Sequence, residues 1–93
     1  MMDAITYRKL TRKAKSYMDR ATDSDVFFWF AYAIGLRHHF RGMSVSDEYE
    51  HRQLLAITPE QPHDELRASG LGYRAGYDAL HPDMLFFVKS IWS

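Results

Sequence analysis

Cysteine is absent from all 93 residues. That single absence excludes disulfides, thiolate metal ligands and thiol nucleophiles together. A secreted domain of this size usually needs such staples, so a cytoplasmic location is expected. A bilayer-spanning run is also missing: the longest uncharged stretch, residues 26–36, has eleven residues, where about twenty are needed. Residues 1–20 interleave basic and apolar side chains and lack the apolar block of a signal peptide. Net charge is missing too, with twelve basic residues against twelve acidic ones. The strongly basic footprint of a typical nucleic-acid-binding domain is therefore not there, and one barrier to self-association is removed.

The apolar fraction of 46% is ordinary for a globular chain, and it argues against wholesale disorder. The length supplies one domain, residues 1–93, with a small core. Aromatic residues, at 15%, exceed what so small a core requires. Either the core is rich in rings or some of them face a partner. Charge is balanced overall but unevenly spread. Residues 1–20 hold six basic side chains against two acidic ones, a net +4, and residues 44–65 hold six acidic against one basic, a net −5.

Periodicity predicts an all-α fold. Over residues 3–20, Tyr7, Leu10, Ala14, Tyr17, Met18 and Ala21 recur at steps of three and four, the spacing of one helix face. The cluster Thr22-Asp23-Ser24-Asp25 then offers capping side chains for a second helix, Asp23 or Ser24 accepting from its free N–H groups. That helix, residues 24–41, is apolar nearly all round. It ends in Arg37, His38, His39 and Arg41 and stops at Gly42, as the negative end of a helix dipole and a glycine cap require. A helix apolar on every side must be covered on every side, so this one is expected at the centre of the bundle or in an oligomer interface. Ser44 and Asp47 have capping-box spacing and open a third helix that Pro59 ends. A fourth starts near His63, and Gly70, Gly72 and Gly76 are expected to break it at Ser69-Gly70, with a restart near Tyr73. After a turn at His81-Pro82-Asp83, residues 84–92 read as a short terminal helix. The expected architecture is a compact bundle of four to five short helices around the central apolar one.

Five histidines raise the question of a metal. His38, His39, Glu48, His51 and the pair His63-Asp64 could be assembled into a site, but their spacing matches no zinc motif. Adjacent histidines on a helix also point about 100° apart. Surface or helix-end histidines are the expectation, with no metal and no cofactor. His63-Asp64 resembles the signature of HD-type phosphohydrolases, which need several further helices. Gly70, Gly72 and Ala75 satisfy a loose dinucleotide pattern, yet the preceding segment is helical and no βαβ unit exists to hold it. Close helix packing explains Gly72 and Gly76 better, since they share a face. The stretch GYRAG, Gly72 to Gly76, resembles the repeated GY-AG element of the ribosome modulation factor family over those five residues. The family's strongly basic character is missing, and its function is not carried over. No GxSxG elbow is present, so the expectation is a protein without catalytic residues.

Two surfaces stand out as candidates. The first is aromatic: Phe27, Phe28, Trp29 and Tyr32, with Phe86 and Trp92 near the C-terminus. These rings suit an interface with another protein or a second copy of the chain. The second is the basic face of the first helix, Arg8, Lys9, Arg12, Lys13 and Lys15, which could contact nucleic acid or the acidic 44–65 stretch. The expected function is a small adaptor, regulator or inhibitor acting by surface binding, as a homodimer. The alternatives are a nucleic-acid-associated regulator using the basic helix, and a small metal-assisted hydrolase using the histidine and carboxylate set. No membrane partner is expected.

Overall fold

A computed structural model describes residues 2–58, 60 and 63–85 of the chain. Four helices follow one another: α1 (Ala4–Asp19), α2 (Ser24–Arg41), α3 (Val45–Leu55) and α4 (Asp64–Tyr77). A helical turn at residues 82–85 comes after them, and no strand occurs among the described residues. The fold is an all-α bundle. Its radius of gyration, 12.4 Å, matches the roughly 12 Å of a folded chain this long.

Side-chain chemistry explains most boundaries. Asp3 caps α1, its carboxylate accepting from the Thr6 N–H at 2.7 Å. Gly42 closes α2 with φ +78°, its N–H bonded to the His38 carbonyl, a conformation that favours glycine. Ser44 and Asp47 form both halves of the capping box, at 3.2 and 3.0 Å. The start of α2 departs from expectation. Asp23 is the N-cap, but it sits at φ 55° and its side chain makes no cap bond. At the far end of the described chain, His81 Nδ1 accepts from the Asp83 N–H at 3.1 Å. Buried Pro82 opens the helical turn there, the position where a missing N–H costs nothing.

α2 is the spine. Tyr7 stacks on Phe40 and Tyr17 on Trp29, with centroids 4.4 and 4.9 Å apart, so α1 runs antiparallel to it. Leu10 and Ala14 seal that contact. α4 crosses α2 much more closely and in the same direction, Gly72 facing Phe28 and Gly76 facing Tyr32. This contact explains why α4 is continuous where a break was expected at Ser69-Gly70. Each glycine costs about 1 kcal/mol of helix propensity, but backbone-to-backbone packing over a whole helix face outweighs it. A side chain at Gly72, Gly76 or Gly35 would overlap the opposite backbone.

Within one chain α2 is covered on only part of its surface. Phe28, Trp29, Ala31, Tyr32 and Leu36 are core, whereas Phe27 and Phe30 are 43% and 61% exposed. α3 is held loosely and has no buried residue. Its C-terminal end is tied down by Arg74, which donates to the carbonyls of Leu55 and Ile57 at 2.6 and 3.2 Å. The helix ends at Leu55, before the proline expected to stop it. The terminal helix expected over 84–92 lies mostly outside the described residues.

Candidate functional site

Phe27 and Phe30 project from the side of α2 that α4 leaves open. With Ala31 and Ile34 they form one wall of a groove whose other wall is Tyr49, Glu50, Gln53 and Leu54 of α3, with Ser69 of α4 also lining it. Its volume is about 530 Å³. Tyr49 is 69% exposed, so three aromatic rings stand at the rim of one apolar depression. Scattered exposed apolar residues are normal on a folded chain, but contiguous ones mark contact surfaces.

Only part of the expected ring surface is available there. Phe27 is accessible. Phe28, Trp29 and Tyr32 are 3%, 4% and 0% exposed and build the core, where Trp29 meets Phe28 and Tyr32 edge-on. The Tyr32 hydroxyl donates to the Leu80 carbonyl at 2.6 Å, and burial pushes its pKa upward. Phe86 and Trp92 lie outside the described residues. Phe30, absent from the expected set, is the most exposed of the α2 rings. Position in the apolar run could not separate it from Phe28. The packing of α1 and the close crossing of α4 decide which sides of α2 are covered.

The basic face is where the sequence places it. Arg8, Lys9, Arg12, Lys13 and Lys15 are all exposed. Lys13 lies 3.6 Å from Asp83. Arg8, Arg12 and Lys15 form no ion pair among the described residues, and none joins α1 to the acidic residues of α3.

A polar cluster lies at the junction of α2, α3 and α4. His38, expected at the surface, is 2% exposed. Its Nδ1 lies 2.8 Å from the Tyr73 hydroxyl, which also meets His51 Nδ1 at 2.5 Å. One phenol thus links two imidazoles, donating to one and accepting from the other. The other ring nitrogen of His38, Nε2, has no hydrogen-bond partner among the described residues. It faces Asp47 Oδ1 and Glu50 Oε1, each at 3.7 Å. Tyr73 is held neutral: burial first, then the negative charges near it, push its pKa up to about 12. Asp47 lies below its ordinary value, chiefly through the Ser44 backbone N–H, with the Ser44 side chain next.

The other histidines go elsewhere. His39 turns to the Tyr77 carbonyl at 2.7 Å, His63 is the N-cap of α4, and Asp64 pairs with Arg67 at 2.6 Å. Of the groups named from the sequence, only His38 and His51 meet here; Glu48 and Asp64 are not in the cluster, and Asp47 and Glu50 are. Asp47, Glu50 and His51 fall at i, i+3 and i+4 of one helix, a spacing that puts them on one face.

Compared with known proteins, the chain matches no family model, no curated protein sequence and no solved structure.

Proposed function

We propose that this protein is a small binding module that acts through its surface and associates with a second copy of itself. The observation that carries this reading is the exposure of Phe27 and Phe30 at 43% and 61%, beside the apolar groove between α2 and α3. Large exposed rings are frequent anchors of protein interfaces, because their burial removes much apolar area from water at little entropic cost. Two further features favour a second copy as the occupant. The chain carries no net charge, and the basic face of α1 and the acidic face of α3 are not joined by any ion pair among the described residues. A second copy offers each face its complement.

Sedimentation tests the reading. The chain should run near twice its 10.9 kDa, and Phe30→Glu should run as a monomer while keeping its helical spectrum. A parent chain that stays monomeric at high concentration would remove the proposal.

The free guanidinium and ammonium groups of Arg8, Arg12 and Lys15 support a second reading, contact with nucleic-acid phosphates. It requires salt-dependent binding that weakens in Arg12→Ala and Lys15→Ala. Absent or salt-insensitive binding ends it.

A further inference from the structure

The geometry points to a divalent transition-metal site at the junction of α2 and α3, with His38 Nε2, Asp47 Oδ1 and Glu50 Oε1 as ligands. These three atoms lie within 4.8 Å of one another. The imidazole nitrogen is buried and unpartnered, and it is aimed at both carboxylates. A buried polar atom without a partner is costly, so the arrangement calls for something between the nitrogen and the oxygens. Their 3.7 Å separation is too long for a hydrogen bond. It is the span of a bridging ion: arms of about 2.1 Å to nitrogen and oxygen close it at an angle of roughly 120°.

The surroundings are arranged as the neighbourhood of a metal-bound imidazole usually is. An ion on Nε2 leaves the proton on Nδ1, which donates to the Tyr73 hydroxyl. That hydroxyl in turn donates to His51 Nδ1. Such a chain fixes the tautomer and the ring plane. Asp47 is oriented in the same way, because Oδ2 accepts from the Ser44 N–H at 3.0 Å and leaves Oδ1 for the ion. The mixed nitrogen and oxygen set suits zinc and its neighbours better than magnesium, which prefers oxygen and retains its water. Three protein ligands leave at least one position open, and the carboxylate side is the exposed one, Asp47 and Glu50 being 36% and 46% exposed. Bound there, the ion joins α3, which buries no residue of its own, to the core helix α2.

All three ligands belong to one chain, so the site needs no second copy, although Glu50 also lines the groove between α2 and α3. Zinc chloride titrated calorimetrically into the full chain should bind with one-to-one stoichiometry, while magnesium chloride should give no heat. Glu50→Gln should weaken zinc at least tenfold, and Asp78→Asn, an exposed carboxylate outside the cluster, should leave it unchanged. Tyr73→Phe should weaken it about tenfold or more through loss of the hydrogen-bond chain. Nitrogen chemical shifts supply a reading independent of any variant: zinc should move His38 Nε2 and leave His63 and His81 where they are. No stoichiometric binding, equal affinity in Glu50→Gln, or shifts confined to His63 or His81 would each overturn the assignment.

Discussion

Gly72 of α4 rests against the backbone of Phe28 in α2. A Cβ at Gly72 would overlap the Phe28 carbonyl oxygen and stand 2.8 Å from its carbon, and Gly76 stands to Tyr32 in the same way. Alanine gains up to about 1 kcal/mol of helix propensity over glycine, but overpacking against a backbone that cannot rotate aside costs about 1–3 kcal/mol or more. The second term wins, so Gly72→Ala and Gly76→Ala should each destabilise by about 2 kcal/mol. That is a large part of the margin of a small domain. Gly42→Ala has nothing within 4 Å of the new atom. It meets only the strain of a positive φ, about 1–2 kcal/mol. Urea midpoints of the three variants check the order, and a Gly72→Ala chain as stable as the parent would contradict the close crossing.

Two buried tyrosine hydroxyls should separate by how many partners they serve. Tyr32→Phe removes one bond, to the Leu80 carbonyl, at about 1 kcal/mol. Tyr73→Phe strips a partner from both His38 and His51, and His38 Nε2 already lacks one. Its loss should exceed that of Tyr32→Phe and reach about 2–3 kcal/mol. Equal losses would mean that the Tyr73 bridge holds nothing that Tyr32 does not.

How far the sequence disclosed all this depends on the range of the interaction. Helix positions rest on local chemistry: the Ser44 cap, the Gly42 stop and the three-and-four spacing of α1 are readable within a few residues. The continuity of α4 was not, because the glycine penalty is local while its compensation comes from Phe28 and Tyr32, more than forty residues away. The same distance hid which α2 rings are free. Phe27, Phe28 and Phe30 look alike in the sequence, and the packing of α1 and α4 on α2 buries one and leaves two. His38 read as a helix-end group by position. Tyr73 and the acidic face of α3 make it a buried one.

Acid should loosen the contact between α1 and the turn at residues 82–85. The Tyr17 hydroxyl donates to Asp83 Oδ1 at 2.6 Å, with Lys13 at 3.6 Å. The Tyr17 bond first, and the Lys13 charge after it, hold the Asp83 carboxyl below its usual value. A carboxyl depressed in the folded state adds stability above its unfolded pKa and loses it as pH falls through the folded one. The contribution should therefore fade between about pH 5 and about pH 2. Asp83→Asn should be less stable than the parent at pH 5, and the two should converge in acid. Urea unfolding at several pH values measures this, and parallel curves would remove Asp83 from the account.

Charge reversal probes the two faces that no ion pair joins among the described residues. If α1 of one copy meets α3 of another, Arg12→Glu should weaken association and Glu48→Arg should weaken it similarly. Each would place like charges opposite one another, at the cost typical of mismatched interface charges. The chain carrying both changes should recover most of the parent's affinity, because the complement is restored with its sign exchanged. Both residues are exposed, so neither change threatens the core, and helical content should stay constant across the set. Association of the parent should also fall as salt rises, since exposed charges are screened beyond about 8–10 Å at physiological ionic strength. The apolar groove predicts the opposite: a contact centred on Phe27 and Phe30 persists or strengthens in salting-out ions. Sedimentation of these four chains and of Phe30→Glu at low and high salt therefore apportions the interface. Recovery in the double variant assigns it to the charged faces. Salt-resistant association that only Phe30→Glu abolishes assigns it to the groove.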